Sequence, residues 1–127
     1  MSLGRLWRRL TSESGTAAVE FAMVLPAFAV LIVGGVWMAQ MLFETSSLHY
    51  AVEAAARCAA VNTVTCSSTA NIQTYAASKY YGPVYPAPTF VSTVGACGQS
   101  VTGTVTYVLN TGVTSISIPL SATACFA

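Results

Sequence analysis

The chain contains no aspartate, and charged residues are scarce along all of its 127 residues. Only 7% of residues are charged, against 54% that are hydrophobic, and the net charge is +1. A Ser-His-Asp triad is therefore excluded, and the serine elbow GxSxG that a glutamate variant would need is missing. The sequence also has no P-loop and no GxGxxG motif. With so little net charge, no bulk electrostatic field favours nucleic acid as a partner.

Histidine is nearly absent too, since His49 is the single one. It precedes Glu53 by one helical turn, a pattern more typical of a solvated polar helix face than of a catalytic pair. The four cysteines form no CxxC pair and His49 is remote from them, which disfavours a zinc site. We therefore expect no enzymatic activity and no cofactor.

A long apolar run near the N-terminus is the dominant feature that is present. From Phe21 to Ala39 no residue is charged or carries a side-chain amide; Gln40 interrupts the run and Glu44 is the first charge after it. As a helix, Phe21–Phe43 is about 34 Å long, which is enough to cross a bilayer. The composition thus predicts a single membrane span with a small domain after it.

The charges around this run predict its orientation. Arg5, Arg8 and Arg9 precede it, and the next basic residue is Arg57. The positive-inside rule then places the N-terminus in the cytoplasm and the rest of the chain outside. A cleaved secretory signal is the alternative, but its apolar region is shorter and is followed by a small-residue cleavage site that is not evident here.

The sequence beyond the span predicts an α+β domain. Apolar residues at mostly three- and four-residue spacing continue the helix to about Ala60; they are Phe43, Leu48, Val52, Ala55 and Ala59. A short second helix follows, capped by Ser67, Ser68 or Thr69, with a buried stripe of Ala70, Ile72, Tyr75, Ala76 and Tyr80. Three strands of an antiparallel meander are expected at Phe90–Cys97, Gln99–Leu109 and Thr114–Ala124. Asn110-Thr111-Gly112 between the last two strands is a hairpin signal. Pro119 demotes the third strand to an edge strand or shortens it.

The four cysteines all follow the span, in the compartment that the charges predict to be oxidising. Disulfides are the default expectation there, and four cysteines allow three pairings. We favour Cys58–Cys66, which would staple the helix end to the next loop, and Cys97–Cys125, which would join the first strand's end to the last strand. A small core needs such staples.

Gly15-Thr16-Ala17-Ala18-Val19-Glu20-Phe21, behind a basic leader, resembles the type IV prepilin signature. The wider string GTAAVEFAMVLPAFAVLIVGG, followed by AARCAAV, is similar to the TadE-like minor pilins, or pseudopilins, of the Tad (tight adherence) pilus. The resemblance covers roughly Gly15–Val61. The major Tad pilin is typically much shorter and nearly all helix, so an added domain favours a minor subunit.

This resemblance implies that a prepilin peptidase cuts between Gly15 and Thr16. Glu20 would then be the fifth residue of the mature chain, and its carboxylate would pair with the new Thr16 ammonium of a neighbouring subunit. The pair would remove an unpaired charge from lipid during assembly. Glu20 and Phe21 are therefore assigned to assembly. The simpler alternative is that Glu20 only marks the edge of the span.

The implied organisation has three parts: a cytoplasmic leader over residues 1–15, a long helix over 16–60 that spans the membrane at about 21–43, and a periplasmic domain over 61–127. The expected partners are the lipid bilayer, the peptidase, other pilin subunits and the inner-membrane assembly platform. The alternative from another class is a bitopic membrane-anchored binding module that keeps its leader. The place of the subunit in the pilus, at tip, shaft or base, stays open.

Overall fold

The structure is a computed structural model that describes residues 14–127, so residues 1–13 of the predicted leader lie outside the described part. Within these described residues, two helices are followed by three strands. They are α1 (Ser14–Val61), α2 (Thr69–Lys79), β1 (Thr89–Gly95), β2 (Gly98–Asn110) and β3 (Ser115–Phe126). The predicted α+β fold class, with a long N-terminal helix, a short helix and a three-stranded antiparallel sheet, is confirmed.

The chain divides into two compact units, one ending at Met38 and the other comprising Ala39–Ala127. In the first unit the helix continues on both sides of Pro26. A proline inside a helix removes one backbone donor, and apolar helices of this kind tolerate it more often than soluble ones. Every residue from Gly15 to Val36 is solvent-exposed in the isolated chain.

The second unit includes the last 23 residues of α1, whose inner face forms half of the core. Its fully buried side chains are Leu48, Ala51, Val52 and Ala55, with Ala56, Cys58 and Ala59 nearly so. The predicted stripe is therefore correct from Leu48 onwards. Phe43 was wrongly included in it, because its side chain is exposed on the opposite face.

Helix α2 begins at a serine cap, as predicted. The Ser68 hydroxyl accepts a hydrogen bond from the Asn71 backbone N–H at 3.2 Å. Ile72 and Ala76 are buried, and α2 lies against β1. Tyr75 and Tyr80 are partly buried against the core, as expected, whereas Ala70 was expected in the buried stripe but is exposed.

The sheet is a meander in the order β1-β2-β3, with both neighbouring pairs antiparallel. Gly98 begins β2 at a φ of 106°, a left-handed conformation that favours glycine after the tight turn from β1. The β2–β3 turn uses Gly112 at φ 82°, with the Thr111 N–H donating to the Thr114 carbonyl. Pro119 lies on β3, an edge strand as predicted, opposite Thr106.

The core is closed by contact between α1 and the middle of β2. Gly103 has no side chain, and a Cβ placed there would lie 2.9 Å from side-chain carbons of Leu48, Val52 and Phe90. The absence of a side chain lets helix and sheet approach each other here. Val101 and Val105 flank this glycine on the same face of β2 and are buried.

Both expected disulfides are present in the structure. Cys58–Cys66 joins the end of α1 to the loop before α2, across a Cα–Cα distance of 5.9 Å. Cys97–Cys125 joins the β1–β2 turn to the end of β3, across 6.2 Å. The described part of the chain contains no free cysteine. Bridges of this kind typically contribute about 2–4 kcal/mol each to a small domain.

Candidate functional site

The predicted cleavage and assembly residues lie together in the first two turns of α1. Gly15, Thr16, Glu20 and Phe21 are all helical and exposed. Thr16 and Glu20 are four residues apart, so they lie on the same face with Glu20 about 6 Å further along the axis. The structure therefore brings these residues onto one short segment, while their roles in cleavage and assembly stay predictions.

The helix that follows them is apolar on every side rather than on one face. Its exposed large hydrophobic side chains extend from Val19 to Val36 without a buried face; they include Phe21, Met23, Val24, Leu25, Phe28, Val30, Leu31, Ile32 and Val33. Among the described residues, α1 is the one helix long and apolar enough to cross a membrane. A helix that is apolar all round and exposed needs lipid or other helices around it.

Within the second unit, a polar junction joins the end of α2 to α1. Glu44 is only 2% exposed, and the Tyr80 hydroxyl donates a hydrogen bond to its Oε1 at 3.1 Å. One turn further, the Tyr81 backbone N–H donates to the Ser47 hydroxyl at 2.6 Å. These two contacts tie the end of α2 to α1 close to the start of the second unit.

The environment of the Tyr80 hydroxyl raises its pKa. Burial raises its pKa well above the ordinary tyrosine value, and the nearby Glu44 charge and their hydrogen bond raise it further. The hydroxyl therefore stays protonated and acts as a donor over the whole physiological pH range. The sequence had identified Glu44 only as the first charge after the span.

This junction leads to a prediction on alkaline stability. The pKa of Tyr80 in the folded protein lies above its unfolded value of about 10. Its contribution to the free energy of unfolding is therefore complete below about pH 10 and is lost as the pH rises towards the folded pKa. Tyr80→Phe should remove this pH-dependent contribution to the free energy of unfolding. It should also destabilise the domain at pH 8 by about 1–3 kcal/mol, because the Glu44 carboxylate loses its donor.

Chemical unfolding of the full chain in mild detergent, between pH 8 and pH 11, measures both effects. Tyr85→Phe is the matched control, because Tyr85 is exposed in the following loop. A Tyr80→Phe chain as stable as the control at pH 8, with an unchanged alkaline decline, would contradict the role given to this hydroxyl.

An open cleft lies at the other end of the second unit, between the end of α1 and the end of β3. Its lining includes Tyr50, Glu53, Arg57, Tyr75 and Phe126. His49 is exposed and does not line it. Within residues 14–127, no three histidine, cysteine or acidic side chains are placed to hold a metal ion.

Comparison with known proteins bears on the helical segment. Residues 15–57 match the family model described as TadE-like protein. The match begins at the predicted cleavage glycine, contains Glu20 and the whole apolar segment, and ends on α1 before the first cysteine. No curated protein and no solved structure matches the chain. The resemblance drawn from the sequence is thereby confirmed: residues 15–57, which lie within the long helix, are similar to the TadE-like family.

Proposed function

We propose that the chain is a minor pilin, or pseudopilin, of a Tad-type type IV pilus, which takes part in pilus assembly and adherence. The observation that carries the proposal is a single helix that combines the TadE-like match, apolar side chains on every side, and one carboxylate near its start. The disulfide-stapled domain after it favours a minor subunit over the major one. No chemistry is required of it, and a structural role suits the family.

Before assembly, we propose that the subunit lies in the bacterial inner membrane. The apolar part of α1 is its anchor, with the N-terminus cytoplasmic and the disulfide-bonded domain periplasmic. A prepilin peptidase removes Met1–Gly15, and the assembly platform then passes the mature subunit to its pilin partners. In this sequence of events Glu20 stays in or near lipid until a second subunit arrives.

The exposed position of Glu20 supports a role between subunits. Burying a lone carboxylate in lipid is costly, and an ammonium partner offsets that cost. Its own Thr16 ammonium lies one turn away and competes for the pair. The two arrangements differ in their consequence, because only pairing with a neighbour's Thr16 links the charge to filament formation.

The first test concerns processing at the predicted cut. Gly15→Leu should leave the full-length precursor in the membrane, because the residue before the cut must be small enough for the peptidase site. Gly35→Leu is the matched control, since it makes the same change on the same helix where a Cβ meets nothing within 4 Å. Intact mass of the membrane-extracted protein, from cells making pili, measures the cleaved fraction.

A wild-type mass that still includes Met1–Gly15 in such cells would contradict the proposal. It would favour the second candidate, an anchored binding module that keeps its leader. The open cleft with its aromatic and charged lining is the observation that supports this candidate. Processing separates the two, because a binding module has no need of the cut.

A further inference from the structure

Within the second unit, β2 runs from the level of Val52 on α1 to the level of Gln40. Two contacts within the second unit establish the direction. Gly103 lies against Val52, and four residues later along β2 the Tyr107 hydroxyl donates a long hydrogen bond of 3.4 Å to Gln40. Moving along β2 therefore means moving back along α1. Asn110, where β2 ends, lies about 10 Å beyond Tyr107 at the usual rise of a strand.

The end of this hairpin is apolar and exposed. We define the hairpin tip as residues 108–116, which contain no charged side chain. Val108 and Ile116 are about half exposed, and Val113 is 97% exposed at the turn. The remaining side chains are mostly threonine, serine and asparagine. Polar residues are usual at turns, so exposed apolar groups here indicate a surface that contacts a partner or a membrane.

The position of this tip relative to the polar boundary of α1 indicates what the tip contacts. Gln40 is the first polar residue after the apolar run, and the exposed polar residues Ser46 and His49 follow it, so the water-facing part of α1 begins near Gln40. Beyond the contact of Tyr107 with Gln40, β2 continues for three residues to Asn110, so the hairpin tip reaches at least the level of this polar boundary. Uncharged valines and hydroxyls at that depth are suited to the headgroup region of a bilayer.

A second loop starts close to this boundary and has the same character. Residues 81–88 follow the contacts to Glu44 and Ser47, and they expose Val84 and Tyr85 almost completely. Tyrosines are enriched where a membrane meets water, because the ring is apolar and the hydroxyl is polar. This loop carries no charge either.

We propose that the hairpin tip inserts into the headgroup region of the same bilayer that anchors α1, with a phospholipid surface as its partner. The domain is then held on the membrane by a second contact besides its helix, and extraction into a filament must release it. The level of the tip near the polar boundary of α1, together with the exposed Val84 and Tyr85 close to the same boundary, favours lipid over a protein partner. The inference rests on the membrane anchor of the proposed function.

Site-specific photocrosslinking in phospholipid vesicles tests this with the full-length chain. A benzophenone amino acid replaces Val113, Val64 or Phe28 in separate preparations in phosphatidylethanolamine–phosphatidylglycerol vesicles. Val64 is the matched control, because it is a valine of similar exposure in the loop after α1, at the opposite end of the domain. Phe28, in the apolar segment, reports on the anchor itself. Mass spectrometry distinguishes a lipid adduct from a protein adduct.

The expected result is a lipid adduct at positions 113 and 28 and none at position 64. A lipid adduct at 28 without one at 113 would overturn the hairpin proposal and leave the anchor intact. A protein adduct at 113 would assign the tip to a second copy of the chain and overturn the lipid proposal. No lipid adduct at 28 would contradict the membrane anchor, and the hairpin proposal with it.

A charge placed at the tip provides a second measurement. With the photocrosslinker at Ile116, Val113→Asp should lower the lipid adduct by about tenfold, because a carboxylate resists transfer from water into the membrane. Val64→Asp should leave the adduct unchanged. Equal adduct yields in the two variants would overturn the proposal, and since both positions are highly exposed, neither change disturbs the core.

Discussion

Gly103→Val is expected to destabilise the second unit strongly. The first added carbon already lies 2.9 Å from side-chain carbons of Leu48, Val52 and Phe90, and valine adds two more atoms beyond it. All three neighbours are buried, so none can turn into solvent to make room. Overpacking of a closed core usually costs about 1–3 kcal/mol, and the three-sided contact places valine at or above that range.

Gly103→Ala gives the graded form of the same experiment. It adds only the first carbon and should lower the melting temperature of the full chain in detergent by about 5–20 °C, since about 1 kcal/mol corresponds to 4–8 °C in a domain of this size. Gly95→Ala is the matched control: Gly95 is also a strand residue, but its added Cβ meets nothing within 4 Å. Near-UV circular dichroism follows the unfolding.

The control should be neutral or slightly stabilising, because alanine restricts the unfolded chain more than glycine does. Equal melting temperatures for the two alanine variants would show that the helix and sheet can separate at Gly103 without loss. The contact would then not be the point on which the packing of the second unit depends.

Elements governed by local chemistry were predictable from the sequence. The Ser68 cap, the turn at Asn110 and Gly112, and the edge position of Pro119 each follow from what one residue type does to its own backbone. The disulfide pairing also followed, because Cys58 and Cys66 flank one helix end and the other two cysteines flank a meander.

The polar junction could not be predicted in the same way. Glu44 was treated as the charge that ends the apolar run, yet its spacing of four from Leu48 places it on the buried face of α1. That spacing was the available signal, but it does not by itself predict burial, because carboxylates are rarely buried without a partner. Its partner, Tyr80, is 36 residues away, and no local pattern connects the two.

Gly103 was missed for a related reason. A glycine inside a strand signals either a bulge or the close approach of another element, but the sequence does not say which element approaches. The helix–sheet contact depends on the position of Leu48 and Val52 above β2, which is a property of the whole domain. The TadE-like match ends at residue 57, so it does not include the sheet.

Glu20→Gln is expected to separate processing from assembly. The amide keeps the size of the side chain but removes its charge, and it makes the isolated helix easier to hold in lipid. The variant should therefore insert and, if the proposed processing occurs, be cut after Gly15 to the same extent as the wild type. It should fail to enter pili, because the Thr16 ammonium of the adjacent subunit would be buried without a counter-charge.

The size of the loss follows from the energetics of a buried ion pair. Removing one partner costs about 3–5 kcal/mol when the other charge stays buried, so incorporation should fall by more than about tenfold. Glu20→Asp should lie between the two, since its shorter side chain must stretch to reach the ammonium. If Glu20 paired only with the Thr16 ammonium of its own chain, Glu20→Gln would lower the incorporation of the variant by the same amount whether or not wild-type subunits were present.

Glu53→Gln is the matched control, because it makes the same change at an exposed position of α1 beyond the apolar segment. The measurement is the subunit content of sheared pili beside the cleaved fraction left in membranes, for each variant alone and for Glu20→Gln mixed with wild type. A mixed preparation should rescue part of the incorporation, since a wild-type glutamate can still meet the variant's Thr16 ammonium. Normal incorporation of Glu20→Gln alone would reduce Glu20 to a marker of the membrane edge and would remove the charge pair from the assembly mechanism.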